Sequence, residues 1–159
     1  MAGLKTTVDR MFVDQFRPDN LRQFVLPGAA TGIGVATAAG GAKTYGAWVD
    51  LALLAAITQD TLIVGVVLDT PSALEVYTID IGSCIGYANA AALNAVPAAI
   101  IAAHRAEVRA GVITAAGLVG TLYLSTPVFI PAGVGILARM YNVVGAATIN
   151  VSAICLQNF

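Results

Sequence analysis

Short apolar runs and strict alternation, more than helical stripes, pattern the middle and end of this chain. Residues 61–68 (TLIVGVVL) have the continuous apolar character of a buried strand, and Asp69-Thr-Pro-Ser72 behind them carries turn chemistry. Residues 75–81 (EVYTIDI) predict a second strand, stopped at Gly82-Ser83. In residues 147–153, Thr148, Asn150 and Ser152 alternate with Ile149, Val151 and Ala153, which is the two-residue period of a half-buried strand. Further strands are predicted over 45–54, which holds the single tryptophan Trp48, and over 112–119, 120–130 and 133–141, with turn signals between them. Arg105, Glu107 and Arg109 alternate with Ala106 and Val108, the pattern of an edge strand with a charged outer face. The alanine-rich piece 88–103 fits either a helix broken at Pro97 or a loop leading into a strand.

Composition supports the strands. Val, Ile and Thr number 44 against 18 Leu and Met, and β-branched side chains favour the pleated sheet. The expectation is an all-β fold, an antiparallel sandwich or jelly roll of about eight strands. Apolar residues make up 58% of the chain, charged residues only 11%, and the mean hydropathy of +0.82 raises the question of a membrane. The longest uncharged stretch, 110–138, is long enough to span a bilayer, but it holds Pro127, Pro131 and five glycines, whose helix breaks would strand backbone groups in hydrocarbon. Residues 81–103 are poor in Leu and Phe and contain Asn89, Asn94 and Pro97. The first 22 residues carry seven charges and no apolar core of a signal peptide. A multi-span membrane protein is therefore the alternative, and burial of the apolar surface against other protein is the expectation.

The first forty-one residues differ in kind. They hold seven of the seventeen charges, and 27–41 are almost all small residues, so 1–41 are expected to form an extended arm and linker ahead of a β domain at 42–159. Val8, Phe12 and Phe16 fall on one helical stripe ending before Pro18. With Phe24 they are the candidate partner contacts, because apolar anchors outside a domain need another surface to cover them.

Candidate chemistry is sparse. A net charge of −1 without a basic block gives nucleic acid no electrostatic footing. The single histidine, His104, has neither nucleophile nor carboxylate pair beside it in sequence, and reads as a surface residue. Cys84 and Cys155 lie 71 residues apart with no metal-ligand spacing, and read as small core residues. Gly133-Val-Gly-Ile-Leu-Ala138 formally matches a dinucleotide fingerprint, but Pro131 precedes it and no acidic residue follows Glu107, so a tight turn with Gly133 at positive φ is the better reading. Asp50, Asp60, Asp69, Glu75 and Asp80 sit mostly at predicted strand ends, a weak basis for a calcium site or an acid/base pair. Asn150-Val-Ser152 is formally a glycosylation acceptor, but without a secretion signal the match carries little. No catalytic, cofactor-binding or metal-binding residue is assigned, and the protein is expected not to be an enzyme.

The order of segments supports one comparison. The small-residue arm, Ala42-Lys-Thr-Tyr-Gly-Ala-Trp-Val-Asp50, Leu62-Ile-Val-Gly-Val-Val67, Tyr77-Thr-Ile-Asp-Ile-Gly82, Pro127-Val-Phe-Ile-Pro-Ala-Gly-Val-Gly-Ile-Leu-Ala-Arg139 and the closing Ala147-Thr-Ile-Asn-Val-Ser152 together resemble the small virion surface proteins of tailed bacteriophages over residues 42–156. The resemblance implies a β-sandwich or jelly roll made in the host cytoplasm and carried on the capsid or tail. Its function would be that of a capsid decoration or cement protein, bridging major capsid proteins as a homo-oligomer, commonly a trimer. A subunit that binds only the assembled shell shifts the equilibrium towards it. A tail, neck or collar component is the related alternative. The arm would anchor on the shell, so that deleting residues 1–26 would abolish attachment and leave the β domain folded. A carbohydrate-binding module would need exposed aromatics at loop tips; Tyr45, Trp48, Tyr87, Tyr123 and Tyr141 are available, although such residues more often sit in cores or cross-strand pairs.

Overall fold

The computed structural model describes residues 22–27, 34–37, 41, 43–97, 108–116 and 120–157. Nine strands run through them: β1 (Arg22–Leu26), β2 (Gly34–Thr37), β3 (Val49–Ala52), β4 (Thr61–Asp69), β5 (Val76–Cys84), β6 (Val108–Ala116), β7 (Gly120–Ile130), β8 (Gly135–Asn142) and β9 (Thr148–Gln157). A single α-helical turn, α1 (Ala90–Asn94), and a 3₁₀ turn at Leu54–Ala56 complete the described elements. The first sheet has the order β1-β9-β4-β7 with β2 also on β9, and the second has the order β3-β8-β5-β6. All pairs are antiparallel.

β1 pairs with residues 153–157 of β9 and β2 with residues 148–151, so the two are successive pieces of one edge lane. Counting them as one leaves eight lanes, and the pairings nest: first with eighth, second with seventh, third with sixth, fourth with fifth. This is a long antiparallel hairpin rolled into two four-lane sheets, the connectivity of a jelly roll. Each sheet keeps two edges, so no barrel closes. The core lies between the sheets, where Ile63, Val66 and Leu68 of β4 and Ile149, Val151 and Cys155 of β9 meet Tyr77, Ile79 and Ile81 of β5 and Ile136 and Met140 of β8.

Several boundaries depart from the local pattern, each for a tertiary reason. Residues 22–26 and 34–37, within the expected arm and linker, are strands that complete the edge of β9, and Phe24 and Leu26 pack against the core. A truncation that spares the domain therefore ends at residue 21 rather than 26. β5 runs through Gly82 and Ser83 to Cys84 because it is a central strand, and both β8 and β6 continue to pair with it there. β3 covers only Val49–Ala52; ahead of it the Trp48 backbone is held by the Asn94 side chain, which accepts from Trp48 N at 2.9 Å and donates to Trp48 O at 2.8 Å. The described part of the alanine-rich piece is α1, capped by Asn89, whose side chain accepts from Ala92 N at 2.8 Å, and ending before Pro97. In β9 the alternation of exposure holds to Val151, after which successive residues on both faces are buried.

The β4–β7 pair is the most irregular. Between the partners Ile63–Val128 and Gly65–Tyr123, β4 advances two residues while β7 advances five, so β7 bulges over Leu124–Pro127. Pro127 lacks a donor for the ladder and is tolerated because β7 is an edge strand. A side chain at Gly65 would bring its Cβ within 2.5 Å of the Leu122 carbonyl oxygen, so the close approach of β7 requires glycine there.

Candidate functional site

The five carboxylates singled out in the sequence are not brought together; each is committed to a separate structural contact. Asp50 accepts from Ala90 N at 2.9 Å and fixes the start of α1. Asp60 accepts from Ala132 N at 3.0 Å and ties the segment before β4 to the β7–β8 turn. Asp69 accepts from Thr70 N at 2.7 Å, and Glu75 from Asn142 Nδ2 at 2.6 Å. Asp80, in the middle of β5, is buried on the outer face of the second sheet, where it accepts from Arg139 Nε at 3.0 Å, from Arg139 Nη2 at 2.9 Å and from the Tyr45 hydroxyl at 2.9 Å. Among the described residues no group of three His, Cys, Asp or Glu is placed to hold a metal ion.

Arg139 lies between two rings, 4.2 Å from the Tyr45 centroid and 4.4 Å from the Trp48 centroid, and Tyr141 meets Tyr45 edge-on at 4.8 Å. Cation–π attraction and the fork of bonds to Asp80 hold the guanidinium from three sides. Burial first, and the Asp80 carboxylate second, push the Tyr45 hydroxyl well above the ordinary tyrosine pKa, so it remains a donor. Trp48 packs with Ala90, Leu93, Leu137 and Tyr87 in a second, smaller cluster that seats α1 on the sheet. Of the aromatics weighed as carbohydrate contacts, Tyr45, Trp48, Tyr87 and Tyr141 are thus engaged in packing. Tyr123, 68% exposed on β7, belongs to no such cluster among the described residues. Trp48 Nε1 and Ser83 Oγ are buried without a hydrogen-bond partner among the described residues.

A different arrangement occupies the end of the sandwich where β4 leads to β5 and β8 leads to β9. The two connections are bonded to each other: Ser72 N donates to Thr148 O at 2.9 Å, and Thr148 N donates to Ser72 Oγ at 2.8 Å. Tyr77 OH donates to Ala73 O at 2.7 Å and accepts from Ala73 N at 3.1 Å, a tyrosine bonded back to the chain just upstream, as in the tyrosine corner of Greek-key sandwiches. Buried Asn142 reaches both loops, donating to Glu75 and accepting from Gly145 N at 2.5 Å. Thr70 and Ala146 adopt positive φ of 48° and 54°, conformations that a side chain disfavours and that this bonding holds in place.

The rigid platform so made holds apolar side chains out to solvent. Leu74 is 91% exposed and Val144 64%, with Val143 and Val76 also exposed beside them. Single exposed apolar residues are ordinary, but Leu74, Val143 and Val144 on two cross-bonded loops, with Val76 at the start of β5, make a patch of the kind that marks an interaction surface. Sequence reasoning did not single them out. The available signal was a pair of valines between Asn142 and Gly145, a turn context in which polar residues are usual.

Of the candidate partner contacts, Val8, Phe12 and Phe16 lie outside the described residues, while Phe24 faces this chain's own core from β1. His104, Arg105 and Glu107 also lie outside them; Arg109 falls in β6, which is the edge strand of the second sheet. Cys155 is buried in the first sheet and Cys84 belongs to a strand of the second, so their strands are not paired. Burial pushes the Cys155 thiol up to about 12. Gly133 has φ of 75° in the β7–β8 turn, and its N–H donates to Ile57 O at 2.7 Å, which makes this segment a turn and not a nucleotide cradle. No described helix is long and apolar enough to cross a membrane. No protein-family model matches the chain, and no curated protein matches it significantly.

Proposed function

We propose that this protein is a non-enzymatic structural subunit of a virion surface, of the capsid decoration or cement type, acting as a homo-oligomer, a trimer, that bridges neighbouring major capsid proteins. The observation that carries the reading is the loop end, where Leu74, Val76, Val143 and Val144 are presented on a hydrogen-bonded platform. Preorganised apolar side chains lose little conformational freedom on docking, which is what attachment to a repeating protein lattice requires. The jelly-roll connectivity is in keeping with this, since that fold recurs in viral shells, although a fold alone does not assign a role. The commitment of the described carboxylates to loop and strand contacts also fits a protein built for attachment. On the shell, binding that exists only in the assembled state stabilises the lattice against strain.

The test is sedimentation of purified protein with empty shells assembled from the major capsid protein of its own virus. Wild-type protein is expected to co-sediment at a fixed ratio to capsid subunits, and Leu74→Asp/Val144→Asp is expected to remain in the supernatant with an unchanged melting temperature. Wild-type protein that stays in the supernatant, or a double variant that binds as well as wild type, refutes the reading.

A further inference from the structure

The apolar loop end cannot be covered without covering a carboxylate. Glu75 stands in the chain between Leu74 and Val76, both exposed, and is itself partly exposed. Its Oε2 accepts from Asn142 Nδ2 at 2.6 Å, which ties it to the residue ahead of Val143 and Val144. Val76 and Val143 lie one step beyond the paired Tyr77 and Asn142, so the apolar residues of both loops adjoin this bond in the chain. A carboxylate has about four acceptor positions, and the bond from Asn142 fills only part of that capacity. Among the described residues neither Glu75 nor Asp69, at the end of β4, forms an ion pair. Arg139 is bound to Asp80, Arg22 lies over the Phe24 ring, and Arg109 is opposite Ser83 towards the far end of β5. Lys43 is bonded to the loop end through its main chain, its N–H donating to Asn142 O at 2.9 Å, but its side chain pairs with no described carboxylate.

From this placement we infer that the surface docking on the loop end is an apolar patch of a shell protein with a lysine or arginine set to meet Glu75. The inference rests on the reading of the loop end as the attachment surface and names the chemistry of its partner. Solvation carries the argument. In the free protein, water serves the acceptor positions that Asn142 leaves open. A partner that packs on Leu74 and Val76 removes that water, and a carboxylate buried without a counter-charge costs far more than a buried amide. A wholly apolar partner therefore loses on Glu75 much of what it gains on the side chains around it. A cation at that point instead makes a charge-assisted bond where water is excluded. The platform also fixes where the cation must stand, because Glu75 is held by Asn142, which is buried and accepts in turn from Gly145 N. Neutral and acidic surfaces are thereby rejected, which gives the loop end selectivity as well as affinity.

The test is the affinity of the purified full-length protein for empty shells of the major capsid protein, measured at about 0.1 M and about 1 M salt, between which the Debye length falls from about 10 Å to about 3 Å. Glu75→Gln keeps an oxygen to accept from Asn142 and removes the charge. It is expected to bind at least about tenfold more weakly than wild type, with an unchanged melting temperature and a smaller loss of affinity on adding salt. Lys43→Gln, which removes a cation from the same end, is expected to bind at least as tightly as wild type. Wild-type protein that never binds refutes the attachment reading and this inference with it. Where wild type binds, Glu75→Gln binding of equal strength, identical salt responses, or an equal loss with Lys43→Gln overturns this inference alone. Weaker binding that comes only with a lowered melting temperature also overturns it, because the lost bond to Asn142 then accounts for the change. Velocity sedimentation without shells is expected to show the same oligomeric state for wild type and Glu75→Gln; an oligomer that dissociates in the variant overturns the inference by assigning Glu75 to a contact between copies.

Discussion

The pair of Asp80 and Arg139 offers the sharpest energetic test of the second sheet, because its two members are buried to different depths. Asp80→Ala removes the acceptor of three hydrogen bonds, one from Tyr45 and two from Arg139. Breaking a buried pair from one side costs about 3–5 kcal/mol. The Arg139 side chain is 30% exposed, however, so water takes over part of the lost interaction and the expected cost falls to about 2–3 kcal/mol. Arg139→Met is the more severe change. It leaves a carboxylate that is only 7% exposed with the Tyr45 hydroxyl as its remaining partner, at about 3–4 kcal/mol. The double variant Asp80→Ala/Arg139→Met leaves no orphaned charge and keeps an aliphatic chain between the Tyr45 and Trp48 rings, so it is expected within about 1–2 kcal/mol of wild type. For a chain of this length about 1 kcal/mol corresponds to about 2–4 °C in melting temperature. Urea melts of the four proteins at pH 7, checked by calorimetry, give the cycle. Should the double variant lose the sum of the two single losses, the coupling is zero and the two charges do not act as a pair.

Three further perturbations probe other parts of the fold. Gly65→Ala drives a Cβ into the backbone of β7 and is expected to cost about 2–3 kcal/mol, whereas Gly133→Ala, with no atom within 4 Å of its Cβ, meets only the strain of positive φ at about 1 kcal/mol; denaturant midpoints rank the two. Tyr77→Phe leaves both backbone groups of Ala73 without their partner, and is expected to cost about 1–3 kcal/mol and to speed hydrogen exchange at the Ala73 amide. Cys155 ionises near its ordinary pKa once unfolded but only at about 12 when folded, so the unfolded state alone loses its proton as pH rises above about 9. Stability is therefore complete below pH 9 and falls by up to about 1.4 kcal/mol per pH unit towards pH 12, with Tyr45 adding a loss of the same sign. Cys155→Ala is expected to flatten the thiol's share of that decline, and the native thiol to resist alkylation at pH 8 until denaturant is added.

How much of this was legible depended on whether the cause was local. β7 was readable to its ends because Gly120 opens it and Pro131 follows it, and the Gly133 turn was readable because few residues other than glycine tolerate its φ. β5 was read too short: Gly82 and Ser83 have low strand propensity, but two neighbouring strands offer partners to their backbone and override it. β1 and β2 were read as arm and linker because nothing in RQFVL or GVAT announces that β9 has an unpaired edge waiting for both. The Asp80–Arg139 contact was invisible for a related reason. Its members are 59 residues apart, and only the register of β5 against β8 makes Asp80 the direct neighbour of Arg139.

The all-β class and the sparseness of candidate chemistry follow from the sequence alone, since they depend on residue types and on a period of two that any strand must repeat. Which lane lies beside which is another matter. The nesting of β1 and β2 with β9, β3 with β8, β4 with β7 and β5 with β6 is a property of the closed chain, because the worth of each pairing depends on the loops and partner strands that bring it about. The same closure bonds the β4–β5 and β8–β9 loops to each other, the loops that expose Leu74 and Val144. That loop surface exists only once the hairpin has rolled.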